Sequence, residues 1–175
     1  MSAQIRQLSG DDLQRHLAAL SDILVKTVEA GASVGFILPF PREEATRFWQ
    51  NKVFDAVQRG DVLLFGAFIE DQLLGTVQLG LALPPNQPHR ADVGKLLVHP
   101  DARRAGLGRA LMQQLEAKAR HLGKTLLLLD TRSGDPSQLL YESLGYQVAG
   151  SVPGFCRHPS TLRFEPTTFL YKTLI

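Results

Sequence analysis

Residues 91–119, "ADVGKLLVHPDARRAGLGRALMQQLEAKA", combine three patterns that decide the fold. Residues 91–99 have the apolar content of a strand, and residues 107–122 repeat apolar side chains at helical spacing. Between them, arginines surround Gly106 and Gly108. Glycines admit a ligand close to the backbone, and a helix N-terminus attracts anions. The stretch therefore predicts a phosphate site between a strand and a helix. The apolar face of that helix is expected to comprise Leu107, Leu111, Leu115, Ala119 and Leu122.

Two interpretations of the glycines stay open. Gly106 and Gly108 supply half of the dinucleotide pattern G-x-G-x-x-G, but its third position is Leu111, which is too large for close packing. Asp130 lies at roughly the distance of a ribose-binding acid. The P-loop pattern is absent. Arg103-x-x-Gly106-x-Gly108 instead suits a pyrophosphate, because arginine adds charge-assisted contacts; the plain alternative is a turn with solvated arginines.

Composition indicates one soluble domain over residues 1–175, with 44% hydrophobic and 21% charged residues. A net charge of +2 without a long basic run argues against nucleic acid. The single cysteine, Cys156, leaves no intrachain disulfide and no cysteine metal site, so no metal is expected. The longest apolar run, residues 62–69, is too short to span a membrane. The first residues resemble no signal peptide, so we expect a cytoplasmic protein without a membrane partner.

The element order predicts an α/β fold: β-α-α-β-β-β-α-β-α-β-β, a mixed sheet with helices on both faces. Asp11 is the expected cap of the first helix and Pro41 the first residue of the second. Asp135 is expected to start a short helix with Gln138 at the capping-box position. The expected strands are 5–9, 61–70, 73–83, 91–99, 125–130, 146–150 and 167–175, and the expected helices are 11–30, 41–59, 107–122 and 136–144.

Two of these segments resemble the GNAT superfamily of N-acetyltransferases. Residues 91–119 resemble its acetyl-CoA-binding segment, and "LLYESLGY" (139–146) resembles its later helix, which carries a tyrosine. Four further stretches, 28–36, 126–134, 152–156 and 166–174, are similar to the tabtoxin resistance protein and its relatives. The resemblance covers nearly the whole chain. It implies the GNAT fold, with a mostly antiparallel central sheet.

The resemblance also implies acetyl-CoA as co-substrate. In this superfamily the backbone of the strand before the glycine loop pairs with the pantetheine arm, and an N–H there can hold the thioester oxygen. Gly134 departs from the family, because many members carry an Asn there that contacts CoA. The implied acetyl-CoA-binding residues are Leu96, Leu97, Val98, Arg103, Arg104, Ala105, Gly106, Leu107, Gly108, Arg109, Gly134, Ser137 and Tyr141.

Direct acetyl transfer to an amine requires a base and an acid. Tyr141 matches the superfamily tyrosine that protonates the leaving thiolate; the plain alternative is a packing tyrosine. Asp92 and Asp130 are alternative bases, directly or through water. Asp92 is expected on one strand face with Gly94, Leu96 and Val98, and its plain alternative is an exposed strand-end carboxylate. Asp130 alternatively caps a loop, and His99 is expected at the surface.

Ser33, Phe36 and Phe155 are the candidate residues of the acceptor end, with Cys156 beside them. The two phenylalanines alternatively close the core. The resemblance predicts an N-acetyltransferase for a small-molecule primary amine, including a toxin or antibiotic such as tabtoxin. The alternatives are a protein or peptide N-acetyltransferase and a non-catalytic acetyl-CoA-binding module. The resemblance also implies a homodimer.

Overall fold

One seven-stranded mixed sheet, in the order β1-β2-β3-β4-β5-β7-β6, organises the computed structural model, which describes residues 2–175. Every neighbouring pair is antiparallel except β4 and β5, which are parallel. The predicted mixed, mostly antiparallel sheet is thereby confirmed. The strands are β1 (Gln4–Leu8), β2 (Val62–Ile69), β3 (Gln72–Gly80), β4 (Arg90–Val98), β5 (Leu126–Arg132), β6 (Gln147–Arg157) and β7 (Phe164–Thr173).

Six α-helices cover the two faces of the sheet. A π-helical segment separates α3 from α4, and a short 3₁₀ turn follows β4. No helix within residues 2–175 has the length and apolarity to cross a membrane. The helices are α1 (Gly10–Arg15), α2 (Leu17–Glu29), α3 (Arg42–Arg47), α4 (Phe54–Arg59), α5 (Leu107–His121) and α6 (Pro136–Ser143); the π-helical segment is Phe48–Val53 and the 3₁₀ turn is Pro100–Ala102.

The first predicted helix is two helices, broken at His16. Its cap is Ser9 rather than Asp11, because Ser9 and Asp12 form a reciprocal capping box. The Asp12 N–H donates to Ser9 Oγ at 3.1 Å, and the Ser9 N–H donates to the Asp12 carboxylate at 3.0 Å. Both groups of the cap are therefore satisfied, which sets the start of the helix one residue earlier than predicted.

The second predicted helix is also interrupted. Pro41 is its N-cap, not its first residue, and the π-helical segment lies in the middle. The segment turns Trp49 and Val53 into the core, and both are buried with Ala45 on α3.

α5 buries Leu107, Leu111, Leu115 and Ala119 as predicted, whereas Leu122 is 41% exposed because it lies just beyond the helix end. On α6 the predicted capping box is absent. The Asp135 carboxylate accepts a hydrogen bond from Arg132 at 3.0 Å, and Gln138 Oε1 accepts the N–H of Gly134 at 2.9 Å. The start of α6 is thus stabilised by the residues that precede it.

β6 is an edge strand of 11 residues. It continues well beyond the predicted strand 146–150. Phe155 therefore lies on a strand. Its side chain is 47% exposed and packs edge-on against Phe169 at a centroid distance of 6.0 Å.

Two hydrophobic cores flank the sheet, since each face of a sheet requires cover. One lies beneath α5 and α6 and includes Phe65, Val93 and Leu127. The other lies beneath α1–α4 and includes Phe68 and Leu97. β2, β3 and β4 contribute side chains to both cores, so these central strands are held from both sides.

We expect Ser9→Ala to lower the free energy of unfolding by about 1 kcal/mol at pH 7, because the N-cap acceptor is lost. Hydrogen bonds from Ser9 hold the pKa of the Asp12 carboxyl below its usual value. The stabilisation is therefore present above the ordinary pKa of Asp12 and declines as the pH falls through the lowered one. Denaturant unfolding at several pH values measures this, with the exposed Ser2→Ala as control. Equal stability of Ser9→Ala and the parent protein would contradict the capping role.

Candidate active site

β4 and β5 separate after three paired positions, and this separation opens the main cleft. Arg90–Asp92 pair with Leu126–Leu128, and no later residue of β4 pairs with β5 within residues 2–175. The rest of β4 pairs only with β3, and the rest of β5 pairs with β7. The resulting cleft has a volume of about 1060 Å³. The backbone of β4 that faces the gap is consequently free to pair with a ligand.

A β-bulge in β4 changes which side chains share a face. Gly94 lies opposite Gln78 and Leu97 opposite Thr76, so three steps on β4 match two on β3. The extra residue is Lys95, whose φ is +50°. Leu96 and Val98 consequently pack against the α5 core, on the face of Val93.

The prediction that Asp92 shares a face with Leu96 and Val98 is therefore wrong, because the bulge inverts the alternation. Leu97 is 1% exposed in the core of α1–α4, so its side chain points away from the cleft. Only its backbone is available to a ligand. Leu96 and Val98 both line the cleft.

The glycine loop ends with unused backbone donors. Arg104 and Gly106 adopt left-handed conformations, with φ of +65° and +77°. The first hydrogen bond of α5 is donated by Ala110 to the Gly106 carbonyl at 3.1 Å. The N–H groups of Leu107, Gly108 and Arg109 precede that bond, so the helix itself does not use them. Free N–H groups at a helix N-terminus favour anions, and these lie at one end of the cleft.

Arg103 and Arg104 line the cleft, are exposed, and have no ion-pair partner within residues 2–175. Arg109 lines it too, and its guanidinium donates to Ser143 Oγ at 2.8 Å. Ala105 is exposed outside the lining. At Gly108, an added Cβ would lie 3.1 Å from Leu140, so α5 and α6 approach closely there. The loop thus offers unneutralised positive charge beside free N–H groups.

Tyr141 on α6 is only 6% exposed and lines the cleft. Its ring lies 5.8 Å from that of Tyr146. Burial, and then the charge of Asp130, raise the pKa of Tyr141 above its ordinary value. A tyrosine hydroxyl is protonated at neutral pH at its ordinary pKa, and this one holds its proton more tightly.

The two candidate bases occupy different places. Asp130 lines the cleft, and Thr167 Oγ1 donates to its carboxylate at 2.8 Å. Asp92 does not line the cleft, because it lies where β4 and β5 still pair, and Arg90 donates to its carboxylate at 2.6 Å. The structure brings Asp130 and Tyr141 into one cleft and leaves Asp92 outside it.

Of the two remaining residues predicted to bind acetyl-CoA, one lines the cleft and the other does not. Ser137 lines the cleft, and its hydroxyl lies 2.7 Å from that of Thr131. Gly134 is exposed outside the lining and has φ of +84°. Its left-handed conformation suits glycine better than the Asn found in the family.

At the acceptor end, Ser33 lines the cleft together with Cys156. Phe36 does not line it; its ring packs against Phe40 at 4.5 Å and Phe48 at 5.3 Å. Phe155 is also outside the lining. The alternative that the phenylalanines serve packing fits Phe36.

His99 is not a surface residue. Its side chain is 13% exposed, and Nε2 lies 3.0 Å from Asp22. The Asp101 N–H donates to His99 Nδ1 at 3.1 Å, which fastens the turn before the glycine loop. Burial opposes ionisation of Asp22, yet hydrogen bonds from Arg42 and His99 hold its pKa below the usual value. This cluster therefore anchors the loop to α2 and α3.

Sequence reasoning did not assign four charged residues that line the cleft to the site: Lys95, Arg132, Asp135 and Glu165. A lysine inside an apolar strand was the available signal for Lys95. Arg132 and Glu165 lie on different strands, and nothing in their spacing indicates that they meet at 3.6 Å. Within residues 2–175, no three His, Cys, Asp or Glu side chains gather as a metal site.

A family model described as "Acetyltransferase (GNAT) family" matches residues 24–146. An uncharacterized N-acetyltransferase from Azospirillum brasilense is 33% identical over 115 residues, which span 65% of this chain and 66% of that protein. The match thus covers slightly less than two-thirds of the relative's length. The chain belongs to the acetyltransferase (GNAT) family.

Solved structures agree with this assignment at the level of the fold. An N-acetyltransferase from Staphylococcus aureus Mu50 has a TM-score of 0.81 and 19% identity, with 100% of both chains covered. A protein from Salmonella typhimurium, solved with its cofactor acetyl-CoA, has a TM-score of 0.79 and 20% identity, with 100% of this chain and 95% of that one covered. The predicted GNAT fold is confirmed.

We expect Gly106→Ala to destabilise the protein by roughly 1–2 kcal/mol, because a Cβ disfavours the left-handed conformation at the start of α5. Thermal or denaturant unfolding measures the change. Gly150→Ala is the matched control, since Gly150 also has open space around it but no left-handed φ. Equal stability of the two variants would show that the loop backbone relaxes without cost.

Proposed function

We propose that this protein transfers the acetyl group of acetyl-CoA directly to a primary amine of a small molecule. One observation carries the proposal: a continuous cleft runs between the separated β4 and β5, from the free N–H groups of α5 to Tyr141 and Asp130. The family assignment supports the same activity. The cleft thus joins an anion-binding end to a pair of groups able to move protons.

The donor half fits a CoA molecule in charge and shape. The pyrophosphate would bind the N–H groups of Leu107, Gly108 and Arg109, with Arg103 and Arg104 neutralising its charge. Gly106 has open space around the position of a Cβ, which leaves the loop accessible. The unpaired edge of β4, at Leu96, Leu97 and Val98, would pair with the pantetheine amides, and Gly134 and Ala105 would contribute backbone only.

Acetyl-CoA supplies an activated thioester whose carbonyl carbon the amine attacks. An N–H on the β4 edge would stabilise the negative charge that develops on the carbonyl oxygen. Tyr141 would donate its proton to the departing sulfur, because its side chain lines the cleft and a tyrosine hydroxyl is protonated at neutral pH. Ser137 lies one turn before Tyr141 on α6 and would contact the thiol end of the donor.

Asp130 is the proposed base. Its carboxylate faces the cleft and is oriented by the Thr167 hydroxyl, so it would accept the amine proton directly or through water. Asp92 is the weaker choice because its carboxylate is bound to Arg90 outside the lining.

The acceptor is proposed to be small, including a toxin or antibiotic of the tabtoxin type suggested by the sequence resemblance. The loop between α2 and α3 lies across this end, where Ser33 lines the cleft and Lys95 Nζ donates to the Val34 carbonyl at 3.0 Å. A bound loop there disfavours an extended peptide. We further propose a cytoplasmic homodimer, which the half-exposed Val148 and Phe155 on the edge strand support.

Calorimetric titration with acetyl-CoA, beside desulfo-CoA and NADH, tests the donor assignment. Binding of acetyl-CoA without binding of NADH is the expected result. Preference for NADH would favour the dinucleotide interpretation of the glycine loop, and binding of neither would refute the phosphate site.

We expect Tyr141→Phe to lower kcat about 100-fold, because the acid that protonates the thiolate is removed. The affinity for acetyl-CoA should stay within about twofold, since the ring and its packing remain. Tyr171→Phe is the control, because Tyr171 lies outside the cleft and bonds Gln147. Unchanged kcat in Tyr141→Phe would exclude Tyr141 as the acid.

We expect Arg103→Ala to weaken acetyl-CoA binding about tenfold at low salt, because a charge-assisted contact to phosphate is lost. The difference should shrink as salt rises, since the arginine is exposed. Arg163→Ala, which removes an exposed arginine outside the cleft, is the matched control. Equal affinity of parent and Arg103→Ala at low salt would rule out the phosphate contact.

A further inference from the structure

Lys95 places a cation in the acceptor half of the cleft. It is the inserted residue of the β4 bulge, and its ammonium donates to the Val34 carbonyl at 3.0 Å. The Nζ atom lies 3.7 Å from the position of a Cβ on Gly35 and 5.7 Å from the ring centroid of Phe48. The charge is therefore held between β4 and the loop that covers the acceptor end.

This cation has no counterion. Within residues 2–175, no carboxylate lies within 4.0 Å of Lys95 Nζ, whereas Arg132, the other cation at this end, contacts Asp135 at 3.0 Å and Glu165 at 3.6 Å. An ammonium has three donors, and only one is used here. Because Lys95 lines the cleft, its two remaining N–H donors are available to a ligand oxygen.

The surrounding charges point to the kind of ligand. Burial first, then the charge of Lys52, lower the pKa of Lys95, while Asp130 raises it. The charge of Asp130 thus acts on Lys95 across the cleft, although the two side chains form no ion pair. A molecule with one positive and one negative end would satisfy both.

We propose that Lys95 selects acceptors that carry a carboxylate, binding that carboxylate while the amine lies towards Asp130. The inference rests on the proposed acetyl transfer and adds the class of acceptor. The alternative is that Lys95 only fastens the loop through Val34. The two roles differ in one respect: fastening the loop affects every acceptor equally, whereas carboxylate binding affects only acids.

The test compares acids with their matched amides. Glycine, β-alanine, 4-aminobutanoate, 5-aminopentanoate and the common α-amino acids are assayed against the corresponding carboxamides by CoA thiol release. The variants are Lys95→Met, which keeps the length of the side chain, and Lys95→Arg, which keeps its charge. Lys95 has a positive φ, which any non-glycine residue adopts at a cost, so both substitutions leave that backbone cost unchanged. Lys26→Met, an exposed lysine on α2, is the control.

We expect the parent to prefer at least one acid over its amide. Lys95→Met should lower kcat/KM for that acid about 10- to 100-fold while changing the amide less than threefold, and Lys95→Arg should restore part of the preference. The N-acetylated acid product, titrated by calorimetry, should bind the parent but not Lys95→Met. Acetyl-CoA should bind all variants alike.

Several results would overturn the proposal. Equal losses for acids and amides in Lys95→Met would assign Lys95 to fastening the loop. Acetylation of amides but not acids, or of neither while acetyl-CoA still binds, would exclude carboxylate recognition. Failure of the parent to bind acetyl-CoA would instead refute the proposed function itself, and the titration separates the two failures.

Discussion

The separation of β4 from β5 is the constraint on which the site depends. Two parallel strands ordinarily stay paired along their length, but here only three positions do so. Beyond them β4 follows β3 and β5 follows β7, so the two halves of the sheet diverge. The divergence leaves the edge of β4 unpaired along the cleft, with backbone groups free to bond a ligand. A ligand that supplies those partners completes the sheet.

Packing on both faces keeps this gap open. On the α5 face of the sheet, an ion pair links the two halves of the sheet. Lys172 on β7 donates to Glu116 on α5 and to the Leu144 carbonyl just after α6, both at 2.6 Å. The pair joins α5 to the helix that carries Tyr141. On the other face, His99 and Asp22 attach the glycine loop to α2. The glycine loop and the tyrosine helix are consequently each held by contacts on one face of the sheet, which preorganises the cleft.

Much of the fold and part of the site could be predicted because local patterns carry them. Apolar spacing located α5, the run at residues 125–130 located β5, and glycine with arginine located the loop at one end of the cleft. Errors arose where a residue's neighbours in space decide the outcome. Ser9 and Asp12 form the capping box of α1, so Asp11 is not its cap. The Asp135 carboxylate, expected to cap α6, accepts a hydrogen bond from Arg132 instead. Phe155 lies beyond the predicted strand 146–150, because no local pattern indicates that this strand continues along β7.

The sequence by itself determined the order of the elements, the glycine–arginine loop and the tyrosine helix, because each depends on residues close together in the chain. Only the tertiary structure decided which residues meet across the cleft. The bulge at Lys95 adds one residue to β4, which turns Leu96 and Val98 towards α5, separates Asp92 from their face and holds the lysine beside Val34. A bulge is set by pairing with β3 and by packing on two cores, and no local pattern records those distant contacts.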